Sequence, residues 1–217
     1  MVRSRATQYA HLRESDLEVT VPQLQEAGDW FQHYGSKVPL VLEIGLGKDP
    51  HLSLRAQANP EALHIGLEYS RKKMDKILAK ASRLGLENFR VMVADATRVL
   101  GPLFESNSLQ QAFILFPDPW PKKRHAKKRL VQAPLIRELV SKLAPGAELE
   151  LRTDDPDYKN QFAEVLTAEP GLENLQEHPY SLDPRDPESH IPTLFESKFR
   201  KEGKPIHYFY FRKRTSP

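Results

Sequence analysis

Five short apolar runs, spaced along the chain with helix-like segments between most of them, constrain its fold more than any other feature. They are VPLVLEIG (38–45), LHIGLE (63–68), FRVMVAD (89–95), LQQAFILF (109–116) and ELELRT (148–153). Nearly continuous runs of Val, Leu and Ile are what strands look like when both faces are covered, and strands alternating with helices form parallel sheets. Right-handed crossovers then distribute the helices over the two faces. The expected architecture is α/β and doubly wound, with IHYFYFR (206–212) as a late strand running antiparallel.

The segments between the runs support this order. PHLSLRAQAN is a short helix candidate with Asp49 as N-cap and Pro50 at its first position, where a missing N–H costs nothing. Ser70 can cap the next helix, where Met74, Ile77, Leu78, Ala81 and Leu84 recur at helical spacing and Gly85 ends the run. LVQAPLIRELVSKL (130–143) is a further helix, Pro145-Gly146 a turn, and 169–192 a loop rich in Pro, Glu and Asp. Residues 1–36 precede the first strand as an N-terminal extension of what is expected to be one domain.

Composition removes several classes of function. The chain has 217 residues and no cysteine, so it has no disulfide, thiol nucleophile or thiolate metal site, and no metal is expected; this fits a reducing cytoplasm. No stretch approaches the roughly 20 apolar residues of a membrane helix, and MVRSRATQYAHLRESD lacks the apolar core of a secretion signal. A net charge of +3 is modest, but six of the eight residues from Lys122 to Arg129 are Lys or Arg, and a second basic cluster runs from Lys198 to Arg214. Both are candidate surfaces for an anionic polymer.

In open α/β sheets ligands bind beyond the carboxyl ends of the strands. Those ends carry Glu43, followed by Gly45 and Gly47, then Glu68, Asp95, Asp118 and Asp154. Any one of these acids alone is an ordinary solvated turn residue; five at five successive strand ends form a pattern. The glycine turn lets a ligand approach the backbone, and an acid at the end of the second strand can accept from both hydroxyls of a ribose. A pyrophosphate would be repelled by Glu43 and Asp49, whereas S-adenosylmethionine brings an ammonium and a sulfonium for carboxylates to face. For Asp49 itself the helix cap is the preferred reading.

The segments LEIGLG, GLEYS, VADA, FPDPWPKKRHAKKR, RTDD and TLFESKF stand in the order and spacing of the tRNA (guanine-N7)-methyltransferases of the bacterial single-chain type, which the chain resembles from about Val38 to Arg212. The resemblance implies a mostly parallel, seven-stranded Rossmann-like methyltransferase sheet. It implies an S-adenosylmethionine-dependent enzyme that forms 7-methylguanosine at guanine 46 of the tRNA variable loop, without an obligate protein partner. Carried over residue by residue, it places Glu43, Gly45, Gly47, Glu68, Asp95 and Asp118 at the cofactor, with Asp118 also catalytic. Lys122, Asp154 and the segment Thr193, Leu194, Phe195 and Glu196 fall at the substrate. One departure stands out: the family's turn usually has a third glycine where this chain has Asp49.

The residue types suit that chemistry. Guanine N7 has a free lone pair, so its methylation needs no prior deprotonation, and a fixed carboxylate such as Asp118 can stabilise the charge that develops on the ring or orient it. Trp120 offers a face for an extruded base or a local packing role, and the basic block can neutralise phosphates or form a solvated face. Thr193 with Glu196 is also a capping-box pattern at a helix start. His125 and His190 are expected at the surface with no role. Two other readings keep the fold: an exocyclic-amine methyltransferase, for which Asp118-Pro119-Trp120 lacks a second proline, and an RNA-binding protein without catalysis, which Asp49 favours. A nicotinamide oxidoreductase is a more distant third, since the third glycine is missing.

Overall fold

In the computed structural model, which describes residues 16–215, strand β1 (Leu40–Ile44) sends Leu40, Leu42 and Ile44 into one apolar cluster and Val41 into another. Alternation with period two is what a strand shows when it lies between two covering layers. β4 (Leu109–Leu115) repeats the pattern, with Ala112 and Ile114 on one side and Phe113 and Leu115 on the other.

The sheet has seven strands in the order β3-β2-β1-β4-β5-β7-β6, where β2 is Leu63–Glu68, β3 Phe89–Val93, β5 Leu143–Thr153, β6 Leu172–Asn174 and β7 His207–Lys213. β1 to β5 pair in parallel, and β7 pairs antiparallel with both β5 and β6. The chain winds outward from β1 to β3 and returns to β4, so the order reverses between β1 and β4, where such sheets open a ligand crevice.

One face is covered by α5 (Ala96–Leu103), α6 (Ala133–Lys142) and α7 (Pro156–Thr167), whose buried residues join one core. The other carries α3 (His51–Ala58) and α4 (Arg71–Leu84), and Phe199 of α8 (Leu194–Lys201) packs on Tyr208 and Tyr210 of β7. In α4 Met74, Ile77, Leu78 and Ala81 form the buried stripe, and Gly85 closes the helix in the left-handed region.

The part of the N-terminal extension within the described residues is packed against the sheet; residues 1–15 lie outside them. Glu18 bridges Val91 of β3 and pairs with Arg71. α1 (Val21–Ala27) starts with a capping box between Thr20 and Gln23. α2 (Trp30–Tyr34) buries Trp30, which stacks on Phe104 at 5.8 Å.

Three local expectations need correction. The loop read over 169–192 contains β6, only three residues long and so too short to show a period, and Ser181 adds a bridge to Tyr208. Pro145-Gly146 interrupts a strand rather than preceding one: β5 begins at Leu143, and its register against β4 jumps from Leu109↔Leu143 to Gln111↔Glu148. The N-cap position of α3 is Pro50, and Asp49 acts from one residue earlier by accepting from the His51 N–H at 3.0 Å.

Candidate active site

The turn after β1 is built on backbone conformations that favour glycine, with φ of +83° at Gly45 and +63° at Gly47. It is tied to the next strand end: Glu68, nearly fully buried, accepts from the Gly47 N–H at 2.8 Å and from the Ser70 N–H at 2.8 Å. Glu68 thus fixes the turn and presents its remaining lone pairs beside it.

These groups open onto a crevice of about 1180 Å³ along the carboxyl ends of the strands. Glu43, Gly45, Gly47 and Glu68 line it from the first two strands, and Asp95, Asp118 and Asp154 from the next three strand ends. Thr193 and Phe195 line it from α8, and Trp120, Lys127, Lys128 and Arg129 from the segment after β4. Lys122, Leu194 and Glu196 lie outside the lining; Lys122 is exposed and Leu194 is 58% exposed.

Glu43 is the most deeply placed of the acids. Burial pushes its carboxyl up to about 8, against the opposing pull of Arg152 and Arg55. Its neighbour is His51, whose Nδ1 lies 2.7 Å from Oε2 of Glu43 and which burial pushes down to about 3. The opposite shifts leave one proton for the pair over most of the accessible pH range. Asp154, half-buried, is also raised by burial.

Asp118 and Trp120 sit in a tight, strained segment. Phe116 has φ +49° and Trp120 φ +44°, the left-handed region that costs a bulky residue on the order of 1–3 kcal/mol. Between them Asp118 is exposed and accepts from the Trp120 N–H at 3.1 Å. Arg129 ties the segment down by donating from Nε to the Pro119 carbonyl at 2.7 Å. The Trp120 ring carries the Lys128 ammonium 4.7 Å above it and the edge of His125 at 5.6 Å. Asp95 starts α5 by accepting from the Thr97 N–H and hydroxyl at 3.0 and 2.7 Å.

The α8 segment divides between two environments. Phe195 is 47% exposed and packs against Phe116 and Phe199, with centroids at 6.2 and 6.0 Å. Glu196, expected at the substrate, is instead fully buried. It takes bonds from Arg152 at 2.9 Å, His190 at 2.8 Å and Tyr208 at 2.5 Å, with Arg200 at 3.3 Å. Burial alone would raise its carboxyl, but the His190 and Tyr208 bonds and the Arg152 charge hold it down at about 2. His190 is accordingly a mostly buried partner of this network and not a free surface residue.

Several lining residues carried no role in the sequence reading. Tyr69, 80% exposed, stands directly after Glu68, and Lys73 places its ammonium 3.9 Å from Glu68. Both lie within or just after the GLEYS motif, but only the folded chain shows which of its members face the crevice. Among the described residues no cluster of His, Asp and Glu is suited to a metal, and no helix is long and apolar enough to cross a membrane.

A doubly wound sheet with its acids gathered at the switch point is the architecture of a Rossmann-like methyltransferase, and residues 37–209 match a family model described as a putative methyltransferase. The fold is shared with solved structures at low identity. The 16S rRNA methyltransferase KamB superposes with a TM-score of 0.61 at 19% identity, covering 85% of this chain and 92% of that one. An rRNA methylase from Streptococcus thermophilus gives 0.54 at 12% identity, with 99% of each chain covered. Curated relatives are more similar. A tRNA (guanine-N(7)-)-methyltransferase of Alkalilimnicola ehrlichii is 40% identical over 184 residues, which is 85% of this chain and 76% of the relative. One from Cupriavidus pinatubonensis is 34% identical over 212 residues, 98% and 82% of the two chains. The chain belongs to the tRNA (guanine-N(7)-)-methyltransferase family, and membership implies a methyl donor.

Proposed function

We propose that this chain transfers the methyl group of S-adenosylmethionine to N7 of a guanine in tRNA, guanine 46 of the variable loop, in the cytoplasm and without an obligate protein partner. The observation that carries the reading is the convergence of Glu43, Glu68, Asp95, Asp118 and Asp154 on one crevice that also holds Trp120 and the cations Lys127 to Arg129. A nucleoside donor with positive charge and a nucleic-acid acceptor both fit that composition.

Glu43 is a buried carboxyl raised to about 8, a group that lacks a cation strong enough to keep it ionised. A cationic ligand held by the residues of the glycine turn would supply that charge. Glu68 and Asp95, with lone pairs left over, would accept from ribose hydroxyls and an adenine amino group. The donor, when bound, supplies a methyl group on a positively charged sulfur, open to attack by a lone pair.

The chain's own residues then have to hold the acceptor. The N7 lone pair would take the methyl as its bond to sulfur breaks, so no base is required to start the reaction and the work is positioning and charge. Asp118 would face the positive charge that develops on the purine or accept from its N1–H and amino group. Trp120 and Phe195 offer aromatic faces to an extruded base, Asp154 and Thr193 border the same place, and the exposed Leu194 adjoins it from outside the lining. Lys122 and Lys127 to Arg129 would pair with phosphates around it.

The decisive experiment is methyl transfer from labelled S-adenosylmethionine to bulk tRNA, followed by borohydride and aniline cleavage. Scission at one guanine of the variable loop is the expected result. A methylated exocyclic amine, or no transfer, would overturn the reading.

A further inference from the structure

Asp49, two residues after Gly47 in the turn that follows β1, joins two parts of the site that are 145 residues apart in sequence. Its own N–H closes the glycine turn onto the Leu46 carbonyl at 3.1 Å. Its Oδ1 accepts from the His51 N–H at 3.0 Å, and its Oδ2 accepts from the Leu194 N–H at 2.6 Å. The Asp49 side chain is buried, so the bond to His51 is sheltered from water and the bond to Leu194 partly so. A glycine in this place could make neither.

Leu194 opens α8, and the first N–H groups of a helix have no partner within it. Asp49 satisfies the first from across the site, and Thr193 satisfies the Glu196 N–H from within the segment at 2.9 Å. From beneath, Glu196 is clamped by Arg152 and Tyr208. The helix start is therefore pinned on one side to the core and on the other to the glycine turn. Its exposed side faces the crevice through Phe195, which touches Phe116, two residues before Asp118.

We propose that Asp49 is a positioning residue that latches the donor turn to the first turn of α8, so that donor occupancy and tRNA engagement are coupled. The proposal rests on the functional reading above. A ligand that stiffens the turn stiffens, through Asp49, the helix start that carries Leu194 and Phe195. Linkage makes the effect reciprocal: tRNA must tighten donor binding by the same factor.

The test measures the affinity of S-adenosylhomocysteine by calorimetry with and without tRNA. It uses the wild type, Asp49→Gly and Leu194→Pro. Glycine is tolerated in a turn, and proline at the first helical position removes the donating N–H together with a side chain that is 58% exposed, so both chains should fold. Hydrogen exchange over residues 194–199 of the ligand-free proteins is the second readout. In the wild type tRNA should tighten the analogue by about fivefold or more, and both variants should lose most of that factor. Exchange in the first turn of α8 should quicken by about tenfold, as expected for loss of a bond to a carboxylate. Retention of the wild-type factor in both variants overturns the latch even if exchange quickens, because a helix cap that only stabilises α8 would behave in that way. Unchanged exchange, or no coupling in the wild type, overturns it as well. Failure of the functional reading is distinguishable, since it shows as absent methyl transfer while the exchange readout in ligand-free protein stands on its own.

Discussion

The Glu43 carboxyl and the His51 imidazole meet at 2.7 Å with both side chains almost wholly inside the protein. The folded Glu43 keeps its proton to about 8, whereas the unfolded chain loses it near 4.5. Between those values the unfolded state binds fewer protons, so the stability due to Glu43 falls as pH rises through the window. His51 has the opposite sign: the fold keeps it neutral to about 3 against 6.5 when unfolded, so its contribution falls as pH drops between them. The two slopes oppose each other from 4.5 to 6.5, and above 6.5 only Glu43 acts. Urea midpoints should therefore drop between pH 6.5 and 8 in the wild type and hold steady in Glu43→Gln. Parallel midpoints would show that Glu43 is already ionised in the fold.

Glu196→Ala leaves the buried Arg152 guanidinium with Glu150 as its remaining acid, at 2.6 Å. Removing one partner of a buried pair costs about 3–5 kcal/mol, so the melting temperature should fall by many degrees. Leu194→Ala, on the exposed side of the same turn, should change stability by less than about 0.5 kcal/mol. Because the folded carboxyl of Glu196 is held down at about 2, its contribution is complete above 4.5 and lost as pH falls toward 2. Calorimetric melts at pH 7 and at pH 3 check both statements.

Asp118→Ala should reduce single-turnover methyl transfer by about 100-fold or more while leaving donor affinity close to wild type. Since Oδ1 of Asp118 also holds the Trp120 N–H, Asp118→Asn separates the two effects. It keeps an acceptor for the turn and removes the charge. An Asn variant as slow as Ala assigns the loss to charge; a near-normal one assigns it to geometry.

Lys122→Ala and Lys127→Ala should each weaken tRNA binding more than donor binding. Each should also lower the slope of log affinity against log salt by roughly 0.7 to 0.9, the amount expected for one phosphate contact. Filter binding across a salt series gives the slope directly. An unchanged slope places the residue away from phosphate.

The two-faced strands were legible because their pattern is local: Leu40, Leu42 and Ile44 fill one core while Val41 fills the other, and no partner must be known to see it. The acids at the strand ends were legible for the same reason, since a strand's last residue marks the sheet edge. What sequence spacing cannot carry is direction and distance. Thr193 and Glu196 read as a helix start, yet nothing local says that Glu196 turns inward to Arg152 while Phe195 turns out. The partner of Asp49 is the backbone of Leu194, and a backbone amide has no sequence signature at all. β6 was missed because three residues take their strand character from β7 and not from their own composition.

The last strand among the described residues, β7, is an interior one, lying between β5 and β6. A chain cut before Ile206 would keep every described side chain that lines the crevice and still lose the neighbour of an eleven-residue strand. The bare rim of β5 would then offer a row of unpaired amides and carbonyls to any passing strand. Such a fragment would keep the lining residues, lose the Tyr208 and Tyr210 seat of α8, and be prone to pile onto its own copies.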